Sequence, residues 1–392
     1  MIFALFRSFY QMVKHILFGR RLDILLYYPQ HFNRSAKGSN PYFEPIIELC
    51  KDNGLKYLVM EEPDGGTSNP RDPLCMKADV FFWGVTIMRK LMRMICKGKT
   101  SVEIDKMIAR YIDLVTFHKF RAKRYITISN SMIDILAELN PRGIVYDYQH
   151  GIIYDGHPGY FVDKDTFLPS YERPNRCVLL WGILYRQAFE DTLCKEELYE
   201  RIKVVGYPML TSVVDMEYQC REFIVISLQI TSDSEVWYKH SAEMLYECLE
   251  QLKESGYKVL LKHHPRFNNE VDLSDIVTKY PFVEFTSKPL VKLVSHTLLH
   301  ITWSSTTCFE YANYAVPTFF LVDDILPHGT TIFYEQYHYP LYKEMSLSEV
   351  MEHVADKQKY KEECEIVKGW YDSAYAPFDK QQMLKILTGN ED

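Results

Sequence analysis

The chain has 392 residues, 47% apolar and 25% charged, and a net charge of -7. That length and balance describe an ordinary globular protein with room for two domains, and the acidic sum lacks the basic excess of nucleic-acid binders, so no nucleic-acid partner is expected. The nine cysteines are odd in number and form no C-x-x-C pair, which argues against a disulfide framework and a zinc ribbon and predicts reduced thiols in a cytoplasmic protein.

No run of about eighteen apolar residues occurs, so a membrane-spanning helix is excluded. Residues 1–21 interleave Phe3, Phe6, Phe9, Leu17 and Phe18 with Arg7, Lys14, Arg20 and Arg21. Two readings fit: a first helix packed on the core, which the pattern slightly favours, or a basic amphipathic helix lying on a membrane. A signal peptide fits poorly, because no charged region precedes the apolar residues and no small-residue cleavage site follows.

An apolar run at 22–28, helical spacing over 41–53 and a second run at 55–60 predict a β-α-β unit. Residues 76–124 read as helical and basic. Between 89 and 124, eleven lysines and arginines face three carboxylates, Glu103, Asp105 and Asp113, an asymmetry that suits a solvated face, anionic lipid or an acidic acceptor. Lys97-Gly98-Lys99-Thr100 resembles the tail of a phosphate-binding P-loop, but Arg93 stands where its leading glycine is required. Strand, helix, strand then recurs at 125–129, 132–139 and 143–148, closing on Gln149-His150-Gly151, with Asp155 and His157 in the loop beyond. Short strands at 177–181 and 203–205 follow, the second leaving the sheet through Gly206-Tyr207-Pro208.

A second series begins at 223–228, with a helix at 237–254, strands at 258–262 and 282–285, a helix at 289–296, a strand at 298–302, a helix at 307–315 and a strand at 318–322. The expected organisation is therefore a Rossmann-like domain over 1–215, a second over 216–370, and a helical tail over 371–392 that returns to the first. Polar turns end two apolar strands in the second series: Lys262-His263-His264-Pro265 and Thr302-Trp303-Ser304-Ser305-Thr306-Thr307. Ligands of open α/β sheets bind beyond such strand ends. Ammonium, imidazole, hydroxyl and helix-opening N–H groups there suit a phosphate. There is no G-x-G-x-x-G after a strand and no G-x-S-x-G, which disfavours nicotinamide or flavin enzymes and α/β-hydrolases.

Taken in order, Gln149-His150-Gly151, Gly206-Tyr207-Pro208, Lys262-His263-His264-Pro265 and Ser304-Ser305-Thr306-Thr307 with Glu310 and Pro317 resemble glycosyltransferases of the GT-B fold. The similarity is greatest to the bacterial group with a histidine-proline and a paired-serine motif, which includes sialyl-, polysialyl- and Kdo-transferases and the CDP-alditol phosphotransferases of capsule and teichoic acid synthesis. The resemblance implies an α/β architecture of two Rossmann-like domains with parallel sheets facing across a cleft. It implies that Lys262, His264, Pro265, Ser304, Ser305 and Thr306 hold the donor phosphate, that Glu310 reaches a ribose hydroxyl, and that Gly206 belongs to the donor side. For the general base it implies either an acidic motif, matched only by Glu61-Glu62-Pro63-Asp64 with its interrupting proline, or a strand-end histidine, matched by His150, with His157 as a further candidate. Gln149, Gly151 and Asp155 fall on the acceptor loop.

The function expected from this is transfer of a sugar from a nucleotide sugar, a CMP-sugar by resemblance, to a hydroxyl of a surface polysaccharide or lipid-linked glycan. CDP-alditol phosphotransfer is the alternative, and a nucleotide-sugar epimerase or degenerate glycan-binding protein a third reading. No D-x-D motif ends a strand, so neither metal nor cofactor is expected and the nucleotide sugar is a substrate. The expected location is cytoplasmic, with residues 1–21 and 89–124 available to the inner face of the membrane.

Overall fold

The computed structural model describes residues 2–390 apart from 34–36, 68, 129–131, 155, 164–165, 191–199, 210–220, 231–234, 264–271 and 328. It divides into two compact units, Met1–Leu210 with Tyr375–Asp392, and Thr211–Ala374.

The first unit is built on a seven-stranded parallel sheet. Its members are β1 (Leu22–Pro29), β2 (Tyr57–Glu62), β3 (Met76–Lys77), β4 (Ala122–Ile128) and β5 (Ile144–Tyr148). A small antiparallel hairpin, β6 (Phe161–Asp163) and β7 (Thr166–Phe167), stands apart before β8 (Arg176–Leu180) and β9 (Ile202–Val204) complete the sheet. The spatial order is β3-β2-β1-β4-β5-β8-β9. Successive strands thus run outward from β1 in one direction and then, from β4, in the other. Parallel strands covered on both faces read as continuous apolar runs, and β1 does so: Ile24, Leu25, Leu26, Tyr27 and Tyr28 are fully buried, whereas Asp23, near the strand's start, is half-buried and pairs with Lys123 at 2.8 Å.

The second unit repeats the plan with five parallel strands: β10 (Phe223–Ser227), β11 (Lys258–Lys262), β12 (Val283–Phe285), β13 (Thr297–Thr302) and β14 (Thr318–Phe320), in the order β12-β11-β10-β13-β14. All six residues of β13 are buried. One of them is His300, whose ring nitrogens meet Ser227 Oγ at 2.9 Å and Thr318 Oγ1 at 3.0 Å and whose face stacks on Tyr311 at 3.9 Å. Burial drives its pKa well below the ordinary value, so it sits neutral and joins three adjacent strands.

Two expectations change. The stretch 76–124 is not one helical run: Asp79–Ile95 and Ser101–Val115 are separate helices, and its end belongs to β4. The break falls at Lys97-Gly98-Lys99-Thr100, where Gly98 takes φ +92 and Thr100 caps the next helix by a reciprocal pair with Glu103, so the phosphate-loop look-alike is a turn between helices. The helix expected over 289–296 is two short 3-10 turns, Leu290–Lys292 and Val294–His296, wound tightly enough to put Leu293 and Val294 into the core. Much of the charge of 89–124 is also answered locally, by Arg89 with Asp105, Arg121 with Asp113 and Lys106 with Glu138.

The carboxy-terminal segment joins the first unit at the end of β9. Ala376 N donates to Trp181 O at 3.0 Å, Tyr207 N to Ala376 O at 2.8 Å and Asp379 N to Val205 O at 2.9 Å. Gly206 makes that approach possible: at φ +84, a Cβ there would stand 2.1 Å from Pro377 O. Replacing Gly206 by Ala should therefore lower stability by about 2 kcal/mol or more through left-handed strain plus the clash, seen as a lower denaturation midpoint. A midpoint equal to wild type would show that the segment does not depend on this contact.

Candidate functional site

In a doubly wound sheet, ligands bind outside the carboxyl ends of the strands near the point where strand order reverses. In the first unit that point lies between β1 and β4. The chain leaving β1 carries Gln30-His31-Phe32, and the chain leaving β2 carries Pro63-Asp64. His31 Nδ1 and Asp64 Oδ2 are 2.6 Å apart, and both side chains keep part of their surface in solvent. Asp64 Oδ1 accepts from Gly66 N at 2.8 Å; that amide first, and the adjacent imidazole second, hold the carboxyl below its usual range. Gln30 Oε1 accepts from Asp64 N at 3.4 Å, while Asn69 Nδ2 donates to the carbonyls of His31 and Asn33 at 3.1 and 2.8 Å, so the dyad rests on a loop tied at several points.

Two strands away, β5 ends at Tyr148 and delivers His150. Its ring meets Phe32 edge to face at 5.8 Å, and its Nδ1 is buried without a hydrogen-bond partner. Burial, then the neighbouring His157 and His31, push its pKa down to about 4. His150 is thus a neutral imidazole at physiological pH. His157 is half-buried between Tyr154 and Tyr160, accepts at Nδ1 from Gly159 N at 3.0 Å, and is also depressed by burial.

The other candidates of this unit have structural employment. Glu61 is fully buried and takes Arg71, Lys77 Nζ at 3.2 Å, Asn33 Nδ2 at 3.3 Å and Asp72 N at 2.6 Å. Glu62 is buried and accepts from Tyr27 OH at 2.7 Å. Both carboxylates are taken up by these contacts, and only Asp64 of the acidic motif is within reach of solvent. Gln149 braces β5 against β8, accepting from Trp181 N at 2.8 Å and donating to Gly151 O at 2.8 Å. Gly206 belongs to this unit and serves the close backbone approach described above, which accounts for the glycine without a donor. Asp155 lies outside the described residues.

In the second unit the reversal falls between β10 and β13. Gln229, just past β10, accepts through Oε1 from Ser304 N at 2.7 Å and from Thr302 Oγ1 at 3.1 Å, and Thr302 Oγ1 also donates to Ser227 O at 3.0 Å. This clamp fixes the turn Trp303–Thr306 that opens the helix Thr307–Asn313. Ser305 Oγ receives Thr307 N at 3.3 Å and Thr307 Oγ1 at 2.9 Å, and Thr306 is exposed at the cap. Glu310 keeps more than a third of its surface in solvent, yet surrounding protein raises its carboxyl above the usual range. Lys262 closes β11, donating to Lys288 O at 2.8 Å, and His263 stacks flat on Phe285 at 5.0 Å. His264 and Pro265 lie outside the described residues.

His31, Gln229 and His300 were missed by sequence reasoning. For His31 a signal existed, since it follows the first strand of a Rossmann-like unit by two residues, as His150 follows the fifth. Gln229 acts through partners 73 and 75 residues away, and His300 reaches Ser227 73 residues away, pairs that no local pattern announces.

No protein-family model matches the chain, and no curated protein does. Among solved structures it is similar to the UDP-GlcNAc 2-epimerase of Methanocaldococcus jannaschii (TM-score 0.50, 11% identity, 93% of this chain and 99% of that one). Other similar structures are the wall teichoic acid polymerase TagF (TM-score 0.49, 14% identity, 100% and 98%) and S. aureus MnaA with UDP (TM-score 0.49, 10% identity, 95% and 98%). At such identities the first likeness bears on fold, and the fold is that of GT-B proteins, two Rossmann-like units with parallel sheets.

His150 generates a pH prediction. Because its folded pKa lies below the unfolded value, the unfolded chain binds the proton more tightly; the contribution to stability is complete above about pH 6.5 and is lost as pH falls toward about 4. Between about pH 7.5 and pH 5, His150 should account for a loss of about 2 kcal/mol. His150→Gln should therefore show a shallower fall in unfolding free energy over that interval, measured by urea denaturation. Equal falls in the two proteins would mean that the imidazole is not held neutral by burial.

Proposed function

We propose that this protein is a transferase that moves a group from a nucleotide-activated donor to an acceptor hydroxyl. The observation that carries the reading is the chemistry at the two strand-order reversals: imidazoles and one carboxylate in the first unit, and a clamped serine-threonine turn in the second. The first set is assigned to the acceptor and the second to the donor phosphate.

In this reading a neutral imidazole withdraws the acceptor proton. His150, held neutral by burial, is assigned this role, and the His31–Asp64 dyad beside it, which reaches solvent, is the second candidate. The departing phosphate gains charge as the bond to the transferred group breaks. Ser304, Ser305 and Thr306, with Lys262 and His264, supply hydroxyl, N–H and cationic donors to it. Neither a metal nor a cofactor enters the proposal, and the donor is a substrate. Within the class, glycosyl transfer from a nucleotide sugar is the first reading. CDP-alditol phosphotransfer is the second, favoured by the engagement of Glu61 and Glu62, which leaves imidazole in place of the acidic base of sialyl-type enzymes.

The acceptor side of the proposal includes a membrane. Among the described residues no helix is long and apolar enough to cross one. The helix Ile2–Phe18 packs against Asp79–Ile95, which packs against Ser101–Val115. Each leaves large apolar side chains exposed, Phe6, Phe9 and Phe18 on the first, Trp83, Ile87 and Ile95 on the second, Tyr111 and Leu114 on the third. Lys14, Lys90 and Arg93 stand among them. Apolar faces interleaved with cations suit an anionic bilayer, on which a lipid-linked acceptor would be presented.

The test combines nucleotide binding with turnover. Thermal stabilisation by CMP, CDP, UDP or GDP should appear for one nucleotide and weaken about tenfold in Ser305→Ala and His264→Ala, the loss of a hydrogen bond to a charged group. His150→Ala should bind that nucleotide as wild type does and lose about 100-fold or more in transfer. The product bond, glycosidic or phosphodiester, selects between the two readings. Stabilisation by no nucleotide would sink the proposal, and conversion of a nucleotide sugar without acceptor would replace it with an epimerase. Retained turnover in His150→Ala with loss in His31→Ala would move the base to the dyad.

A further inference from the structure

At the amino-terminal edge of the seven-stranded sheet lies a cavity of about 920 Å³. The first residues of three central strands, Leu22, Ala122 and Ile144, form part of its wall. It is therefore separated from His31 and His150 by the length of β1, roughly 25 Å. Cationic side chains from several segments converge on it, and among the described residues no carboxylate lines it. Asp113 answers Arg121 and His118, Asp23 answers Lys123, and Lys119 Nζ donates to Gly19 O at 2.9 Å. Arg21, Arg124 and Arg142 have no carboxylate partner among the described residues, and Arg124 Nε is buried without any hydrogen bond. Three guanidinium groups at one cavity, without a carboxylate partner among the described residues, have the chemistry of an anion site. The planar fork of arginine matches phosphate oxygens.

The surroundings indicate where that phosphate comes from. Phe117, 73% exposed, lines the cavity, and Leu114 and Val115 beside it are exposed as well. His15 Nε2 lies 3.0 Å from Lys119 O, which ties the end of the first helix, with Phe18 78% exposed, to the same rim. That helix spans the sheet: Ser8 Oγ donates to Lys77 O near the carboxyl edge, and His15 lies at the amino edge. A bilayer lying along this helix would thus meet the cavity at one end while the strand ends bearing His31 stood at the other.

We infer that the cavity binds the phosphate headgroup of an anionic phospholipid, with Arg21, Arg124 and Arg142 on the phosphate and Phe18 and Phe117 in the bilayer interface. This rests on the membrane reading given above and adds a headgroup site to it. The site would fix the orientation of the sheet on the membrane as well as its attachment.

The experiment compares co-flotation with phosphatidylcholine vesicles and with equimolar phosphatidylcholine–phosphatidylglycerol vesicles. Wild type should prefer the anionic vesicles, and Arg124→Gln combined with Arg142→Gln should reduce that preference roughly fivefold for each charge removed. The double variant should keep the wild-type melting temperature and nucleotide binding. Leu114→Ser with Phe117→Ser should weaken binding to both vesicles. Undiminished preference in the arginine variant overturns the headgroup site, and so does equal binding of wild type to both vesicles; in either case the apolar membrane face survives. Binding to neither vesicle overturns both. Protection of the arginines from phenylglyoxal by inorganic phosphate, with none from anionic vesicles, also overturns the lipid assignment and makes the ligand a soluble phosphate.

Discussion

Burial of parallel strands on both faces is the constraint from which the rest of this structure follows. Strands such as β1 and β13 pass through the middle of their units and can carry a polar side chain only where a partner is built for it. His300 is tolerated because Ser227, Thr318 and Tyr311 surround it. Asp147 in β5 is tolerated where Tyr171 OH donates to it at 2.7 Å. Side chains left over for chemistry are therefore concentrated past the strand ends, where His31, Asp64, His150 and Ser304 stand.

The same constraint sorts the carboxylates. Glu61 and Glu62 are the last residues of β2 and still belong to the sheet, so their charge and hydrogen-bonding capacity are taken up by Arg71, Lys77 and Tyr27. Asp64 is two residues further on, outside the sheet, and faces a histidine and solvent instead. Two residues along a chain separate a structural charge from one that can meet a ligand. The histidines divide similarly: His300 is neutral because it is enclosed and fully bonded, whereas His150 is neutral because it is enclosed and left with an unpaired nitrogen. The first arrangement holds strands together, and the second leaves one ring nitrogen without a partner.

Charge on the surface follows a different logic. The acidic total of the chain conceals a first unit whose cations are partly matched one by one, by Asp105, Asp113, Glu138 and Asp23. Arg21, Arg124 and Arg142, which this matching leaves aside among the described residues, line one cavity. Neither net charge nor a count along 89–124 predicts that grouping, because pairing depends on which helix lies against which.

The amino-acid sequence by itself determined the repeated strand–helix alternation, the approximate ends of most strands, and the polar turns at 149–151 and 302–307, because buried parallel strands write unbroken apolar runs and their exits write glycine, proline and hydroxyl residues. The His31–Asp64 pair, the unpaired Nδ1 of His150, the clamp of Gln229 on Ser304, the engagement of Glu61 and the convergence of Arg21, Arg124 and Arg142 were decided only by the tertiary structure. Each joins groups that lie on different elements of the chain or depends on what a side chain lacks. A local pattern records which face of an element is apolar; it carries no record of which distant atom will arrive, or fail to arrive, within hydrogen-bonding distance.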